Sequence, residues 1–297
     1  METTVSRPTL PPRQVLPKPA APTVSRVTFS GVPAAAGRKI GIYGCGGLGK
    51  TSYAAHAPGP TVFFDLDASL PILRAAGKLA DVDIQVVPGV DSWAALTGML
   101  AAEGWEGVQT IVIDSVTRAE EMAVAHTLET VPHEKGGKVS HLEGYGFGKG
   151  FTHVYETFLP LFAVLDRHVV AGRNVILICH DCIEKVPNPV GEDYIRWEPR
   201  LQSPSSGKAS IRLRMKEWLD DLWFVGYDIN VQHDKKERFA KAEGGGSRTL
   251  YPNEMPHCMA KSRTFSHPME LKENDTSIWQ AYFNPSLATE IGKAQEA

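Results

Sequence analysis

The sequence predicts an α/β protein built on a mostly parallel sheet with helices on both faces. Three observations carry that expectation. Short, nearly continuous aliphatic runs recur from residue 38 onward; stretches with helical spacing lie between them; and beyond residue 183 the pattern changes to shorter runs, read as antiparallel additions to one edge of the sheet.

Taken in order, KIGIYG, TVFFD, DIQVV, TIVID and NVILICH are the strand candidates, each bounded by Gly, Pro, Asp or a helical stretch. Helices are expected over 50–57, 92–103, 117–130 and 152–171. Trp93, Leu96 and Leu100, then Val154, Phe158, Leu161 and Leu165, fall on single helical faces. Strand followed by helix, repeated, selects parallel pairing with covered faces. Later come YIRWEPRLQ, a short helical piece near 212–220, LWFVGYDINVQ, RTLYP and HCMAKSRTF. Residues 1–36 differ, with prolines at 8, 11, 12, 17, 19, 22 and 33 and little to bury, and are expected to form a flexible arm. The division is therefore an arm over 1–36, a core over 37–270 and a C-terminal extension over 271–297.

Composition narrows the function classes. With 297 residues, 42% hydrophobic and 22% charged, the chain reads as one main globular domain. A net charge of -3 argues against a surface that coats nucleic acid uniformly, so any polyanion site must be local. No apolar run is long enough to cross a membrane, and no membrane partner is expected. Four cysteines fit a reducing compartment and an intracellular location better than a disulfide scaffold. Cys179 and Cys182 have the spacing of half a metal site, but Cys179 lies in an apolar run, so free, partly buried thiols are the expectation.

The segment Gly44-Cys45-Gly46-Gly47-Leu48-Gly49-Lys50-Thr51-Ser52 follows a strand and opens a helix, and it satisfies G-x-x-x-x-G-K-[ST]. Glycines let successive N–H groups and the helix N-terminus converge on phosphate oxygens, Lys50 reaches the β- and γ-phosphates, and Thr51 offers its hydroxyl to Mg²⁺. ATP and Mg²⁺ are the expected cofactors. Asp114, closing TIVID, supplies the carboxylate that orients Mg²⁺ through water. Ser115 is either the cap of the next helix or part of the metal's surroundings, and the residues leave both open. TVFFDLDASLP brings Asp65 and Asp67 to the same sheet edge. Asp67 is the candidate for positioning the attacking water and Asp65 for a structural contact, against the alternative that both cap the following helix. His180, ending NVILICH, is placed to sense the γ-phosphate if its strand lies beside the one ending at Asp114.

With these motifs in place, the chain resembles the RecA-like P-loop NTPase core, in particular the bacteriophage-encoded, core-only RecA-type ATPases of single-strand annealing and recombination. YGCGGLGKTS, VFFDLDASL, TIVIDSVT, the glycine-rich EGYGFGKGFTHVYETFLPLFAVLDRH, NVILICH, YIRWEPRL and AKSRTF carry the resemblance, over roughly residues 38–265. It implies an ATPase that assembles with itself as a ring or filament, with single-stranded DNA and a phage or host single-strand binding protein as partners, in the cytoplasm of a phage-infected bacterial cell. Where such relatives place a water-activating Glu, this chain has the shorter Asp67, and His180 stands where a Gln is common. Lys261-Ser262-Arg263 resembles a Lys-x-Arg motif that enters the neighbouring subunit's site; as an i, i+2 pair on a strand, Lys261 and Arg263 would share a face.

Between the strands ending at Asp114 and His180, residues 133–153 combine six glycines with Lys135, Lys138, Lys149, Tyr145 and Phe147. Lysines answer phosphates and aromatics stack on unpaired bases, so this is the expected DNA-contacting segment. Arg196, Arg200, Lys208, Arg212 and Arg214 form a second, weaker basic candidate. The function expected is Mg²⁺-dependent ATP binding and hydrolysis coupled to single-stranded DNA. The alternative is a nucleotide-gated assembly module with little turnover.

Overall fold

The computed structural model describes residues 36–205, 207–232 and 241–284, together with Phe29 and Gly31. The expected proline-rich arm otherwise lies outside the described residues. In chain order the elements are β1 (Lys39–Tyr43), α1 (Lys50–Ala55), β2 (Thr61–Asp65), α2 (Leu70–Ala75), β3 (Ile84–Val86), α3 (Trp93–Ala101), β4 (Thr110–Asp114) and α4 (Val116–Thr130). A short 3₁₀ turn (Leu142–Tyr145) precedes α5 (Lys149–Val170), β5 (Asn174–Cys179), β6 (Asp181–Val186), β7 (Tyr194–Pro199) and α6 (Ile211–Trp218). The chain continues through β8 (Asp221–Tyr227), β9 (Asn230–Gln232), β10 (Lys241–Glu243), β11 (Arg248–Tyr251), β12 (Met269–Glu270) and α7 (Ser277–Phe283).

Eight strands form the central sheet in the order β12-β11-β8-β1-β5-β4-β2-β3. From β8 to β3 the pairing is parallel, and β11 and β12 add antiparallel strands at one edge. Strand β5 lies between β1 and β4, so the glycine loop after β1 and the carboxylate ending β4 flank the end of β5. Alternation along each buried strand sends side chains to opposite faces. Ile111, Ile113, Val175 and Leu177 pack under α3, α4 and α5, whereas Val112, Ile176 and Ile178 join the layer of α1 and α7. Helix α5 contributes Val154, Phe158, Leu161 and Leu165, the face that the sequence spacing marked.

Three expectations change. LWFVGY pairs parallel to β1, with Ile40 opposite Asp221, and only β11 and β12 are antiparallel additions. YIRWEP leaves the main sheet and pairs with β6 in a separate hairpin. HCMAKSRTF forms no named strand; it makes isolated bridges, Cys258 with Trp197 and Lys261 with Leu222. Tyr43 is one reason, because its hydroxyl donates to the carbonyls of Met259 (2.6 Å) and Trp197 (3.0 Å) and draws this segment across the face of β1. The described part of the expected extension, residues 271–284, is built into the core: Trp279 and Tyr282 are fully buried beside Trp223.

Candidate active site

The loop after β1 turns because its glycines can. Gly49 is the residue before α1 and has φ +84°, a left-handed conformation that a side chain disfavours. Gly44 has no room for one, since a Cβ there would stand 2.2 Å from the Val225 carbonyl oxygen on β8. Lys50 opens α1 and is only 7% exposed; its ammonium donates to the carbonyls of Gly44 (2.7 Å) and Cys45 (2.8 Å). Burial pulls its pKa down, with the Asp114 carboxylate opposing the shift. A buried cation held only by loop carbonyls is matched to an incoming anion.

Strand β4 delivers Asp114 at 4% exposure, and the Thr51 hydroxyl donates to its Oδ2 at 2.6 Å. Burial pushes the Asp114 carboxyl up to about 6, against the lowering effect of that hydrogen bond. Asp65 pairs opposite Asp114 at the ends of β2 and β4, and the backbone N–H of Leu66 donates to the Asp114 carbonyl at 2.6 Å. The chain thus leaves β2 over the end of β4, carrying Asp67 to the same edge. Asp65 accepts from the N–H groups of Ser69 (2.9 Å) and Leu70 (3.0 Å) and so caps α2. Asp67 instead meets His180, whose Nε2 lies 3.2 Å from its Oδ2. That hydrogen bond, opposed by burial and helped by a second one with Ser115, holds the Asp67 carboxyl below its ordinary range. The position of His180 follows from β5 pairing beside β4. Ser115 caps α4, accepting from the Arg118 N–H at 3.2 Å.

These groups line one cleft of about 350 Å³, which includes Lys50, Thr51, Asp67, Asp114 and His180 and continues to Ile72, Leu73 and Lys78. At one end stand a buried cation, a helix N-terminus and a hydroxyl–carboxylate pair, the donor set for a triphosphate carrying a hard divalent cation. Residues 36–264 match the AAA domain family. The chain belongs to that family. It is a P-loop ATPase, and its fold is an α/β core built on a mostly parallel eight-stranded sheet. Among solved structures, this AAA domain protein is similar to a KaiC-like protein from the hyperthermophilic archaeon Pyrococcus horikoshii OT3, with TM-score 0.41, 15% identity, and 80% of this chain and 86% of that chain covered. It is also similar to the RadB recombinase, with TM-score 0.38, 11% identity, and coverage of 80% and 89%. No curated protein matches the sequence. No helix among the described residues of the AAA domain protein is long and apolar enough to cross a membrane.

Other residues singled out from the sequence lie elsewhere. Lys261 bridges to Leu222 near the start of β8, at the end of the sheet opposite the glycine loop. Its ammonium donates to the carbonyls of Lys216 (3.0 Å), Glu217 (3.2 Å) and Leu219 (2.5 Å), closing the C-terminus of α6. That corrects the expectation of two cations presented together, because Lys261 is spent inside its own chain. Arg263 remains outward, its backbone N–H held by Asp221 and its guanidinium 3.3 Å from Asp220.

In the segment 133–153, Tyr145 is buried and donates to the carbonyls of Val131 (2.6 Å) and Thr127 (3.2 Å), so it is a strut for α4 and not a stacking face. Lys149 is ion-paired with Glu134. Phe147, between Gly146 and Gly148, is fully exposed, and Lys135 and Lys138 are exposed as well. In the second basic cluster Arg200, Lys208 and Arg214 are exposed, whereas Arg212 is buried and Arg196 half-buried. Arg212 reaches Glu198 (2.5 Å) and Glu184 (2.8 Å), Arg196 reaches Glu198 (2.8 Å) and Glu254 (2.5 Å), and both pairs tie the β6–β7 hairpin to its surroundings. Cys179 is buried with its sulfur 3.2 Å from the Thr117 hydroxyl, and Cys182 is half-buried. Three parts of the site gave no signal in the sequence reading. Arg248 on β11 donates to the Leu48 carbonyl at 2.8 Å, and Ile72 and Lys78 form cleft wall; all are remote in sequence from the glycine loop, and only folding brings them to it.

Proposed function

We propose that this ATPase hydrolyses Mg-ATP in a reaction coupled to single-stranded DNA, and that it works as an assembly of its own copies in phage recombination, annealing or replication. The observation that carries the reading is the convergence of Lys50, Thr51 and Asp114 at the ends of two strands, with the Asp67–His180 pair facing the same cleft. Lys50 and the glycine-loop N–H groups would hold the phosphates, and Thr51 and Asp114 would hold the Mg²⁺, which supplies charge neutralisation when bound. Asp67 would orient water as its proton acceptor. His180, fixed to Asp67, would report on the terminal phosphate to β6, which begins at the next residue.

Support for DNA comes from residues 133–153, where Phe147 offers an exposed stacking face and Lys135 and Lys138 are exposed in the same segment. Assembly is supported by Arg263: it lies at the end of the sheet away from its own glycine loop, so any contact it makes with a γ-phosphate is with that of another copy. One observation favours the alternative of a nucleotide-gated assembly module with little turnover. Asp67 is short for a water-activating group and is engaged by His180. Steady-state ATP hydrolysis with and without single-stranded DNA separates the two readings. The coupled ATPase predicts stimulation by DNA in the parent and its loss in Phe147→Ala with the basal rate kept; no turnover in either condition, with ATP-dependent assembly intact, would favour the module.

A further inference from the structure

The cleft that takes the triphosphate has a second wall outside the matched AAA domain. A smaller cavity of about 40 Å³ shares Gly47, Gly49, Ser52 and Lys78 with the main cleft and is closed on its far side by Arg248 and the turn 271–275. The family match ends at residue 264, so this turn lies outside the matched residues. It is also fixed firmly. The Leu271 N–H donates to the Arg248 carbonyl at 2.7 Å, and Arg248 in turn holds the Leu48 carbonyl of the glycine loop. Downstream, Trp279 of α7 donates to the Tyr53 carbonyl at 2.9 Å and stacks on the Tyr53 ring at 4.8 Å. The turn is therefore anchored at both ends to the loop and helix that carry Lys50 and Thr51.

Its chemistry differs from that of the phosphate end. Glu273, Asn274 and Asp275 bring two carboxylates and an amide, facing Lys78 and His56 across the cavity; Lys78 and Glu273 stand 3.5 Å apart. Lys272 and Arg248 complete the lining, so carboxylates, an amide and cations stand together, a mixed set that suits a group with several hydroxyl and ring-nitrogen positions. Tyr53, in the same wall, has a buried hydroxyl with no hydrogen-bond partner among the described residues. Alongside, Ile72 is 72% exposed in the wall of the main cleft, a bare apolar surface for a flat base.

We infer that the turn 271–275, with Lys78 and Ile72, forms the nucleoside subsite: the base lies on Ile72, and the sugar and base edges are read by Glu273, Asn274 and Lys78. This rests on the ATP reading above and adds to it the residues that distinguish a nucleotide from a bare polyphosphate. The test is calorimetric titration of Mg-ATP and of Mg-tripolyphosphate into the parent, a Glu273→Ala/Asn274→Gly variant and Lys78→Met. Asn274 has φ +57°, so glycine removes its amide while keeping the turn. Both variants should bind Mg-ATP about tenfold more weakly, as expected for the loss of one or two hydrogen bonds, and bind Mg-tripolyphosphate within about twofold of the parent. Unchanged Mg-ATP affinity in both variants, or an equal loss for both ligands, would overturn the subsite and leave the turn as a prop for the glycine loop. Lys78→Met removes a cation that lies outside the turn but pairs with Glu273, so the tripolyphosphate titration is the control for a disturbed turn: a displaced glycine loop would weaken both ligands alike. A parent that binds tripolyphosphate as tightly as ATP overturns the subsite alone; a parent that binds neither overturns the ATP reading together with it.

Discussion

At the amino end of β1, Asp221 accepts from Ser262 (2.5 Å), the Arg263 N–H (3.0 Å) and the Tyr282 hydroxyl (2.5 Å), while Lys261 fills three carbonyls of α6. At the carboxyl end of the same strand, Lys50 rests on two loop carbonyls and Asp114 takes one hydroxyl, although both are nearly as buried as Asp221. Both ends bury a carboxylate near a lysine. The first set of groups is saturated by its own chain, and the second is left with bonding capacity that the fold does not use. Saturation marks the end that holds β1, β8, residues 261–263 and α7 together. Spare capacity marks the end built for a ligand, and each end should fail in its own way when altered.

The largest effect is expected at the saturated end. Asp221→Ala strands a buried tyrosine hydroxyl, a serine hydroxyl and a backbone N–H, and should cost about 3 kcal/mol of stability in denaturant unfolding, with Tyr282→Phe costing about 1 kcal/mol. Mg-ATP affinity of the Asp221→Ala protein that remains folded should change far less than its stability. A loss of nucleotide binding with normal stability would erase the distinction between the two ends.

Arg263 is the exception that sharpens the comparison, because it sits at the saturated end with its guanidinium exposed. Its removal should change stability by less than about 0.5 kcal/mol, the range of an exposed ion pair. Hydrolysis by the assembled protein should fall instead. Mixing inactive Arg263→Ala with inactive Lys50→Ala should restore part of the activity, since one mixed interface then joins an intact glycine loop to an intact Arg263. Co-assembled mixtures that stay inactive at every ratio would return Arg263 to the structural set.

The parallel strands, the four longest helices and the groups of the phosphate end were legible because each depends on local pattern: aliphatic runs, helical spacing, a glycine loop with its lysine, and aspartates closing strands. β5 does lie beside β4, the condition set for His180, and the contact of His180 with Asp67 is what the fold adds. What stayed hidden depends on distant partners. The parallel pairing of β8 follows from the long return through α6. The fate of Lys261 follows from a helix end that happens to stop beside it. Arg196 and Arg212 look basic in sequence, and only the hairpin brings Glu184 and Glu198 to neutralise them. Tyr145 and Phe147 are two residues apart in one glycine-rich segment, and the polar carbonyls of α4 bury the first while leaving the second outside.

Calorimetric titration of Mg-ATP into the parent and into folded Lys50→Ala tests the nucleotide cleft most directly. Lys50 is buried, its pKa is depressed by that burial, and it makes no bond that the fold needs beyond two loop carbonyls. Its replacement should therefore leave the unfolding midpoint unchanged or raise it, while Mg-ATP affinity falls by about a hundredfold or more, as expected when a charge-assisted contact to phosphate is removed from a buried site. Equal affinity in the two proteins would mean that the loop after β1 is not where the nucleotide binds.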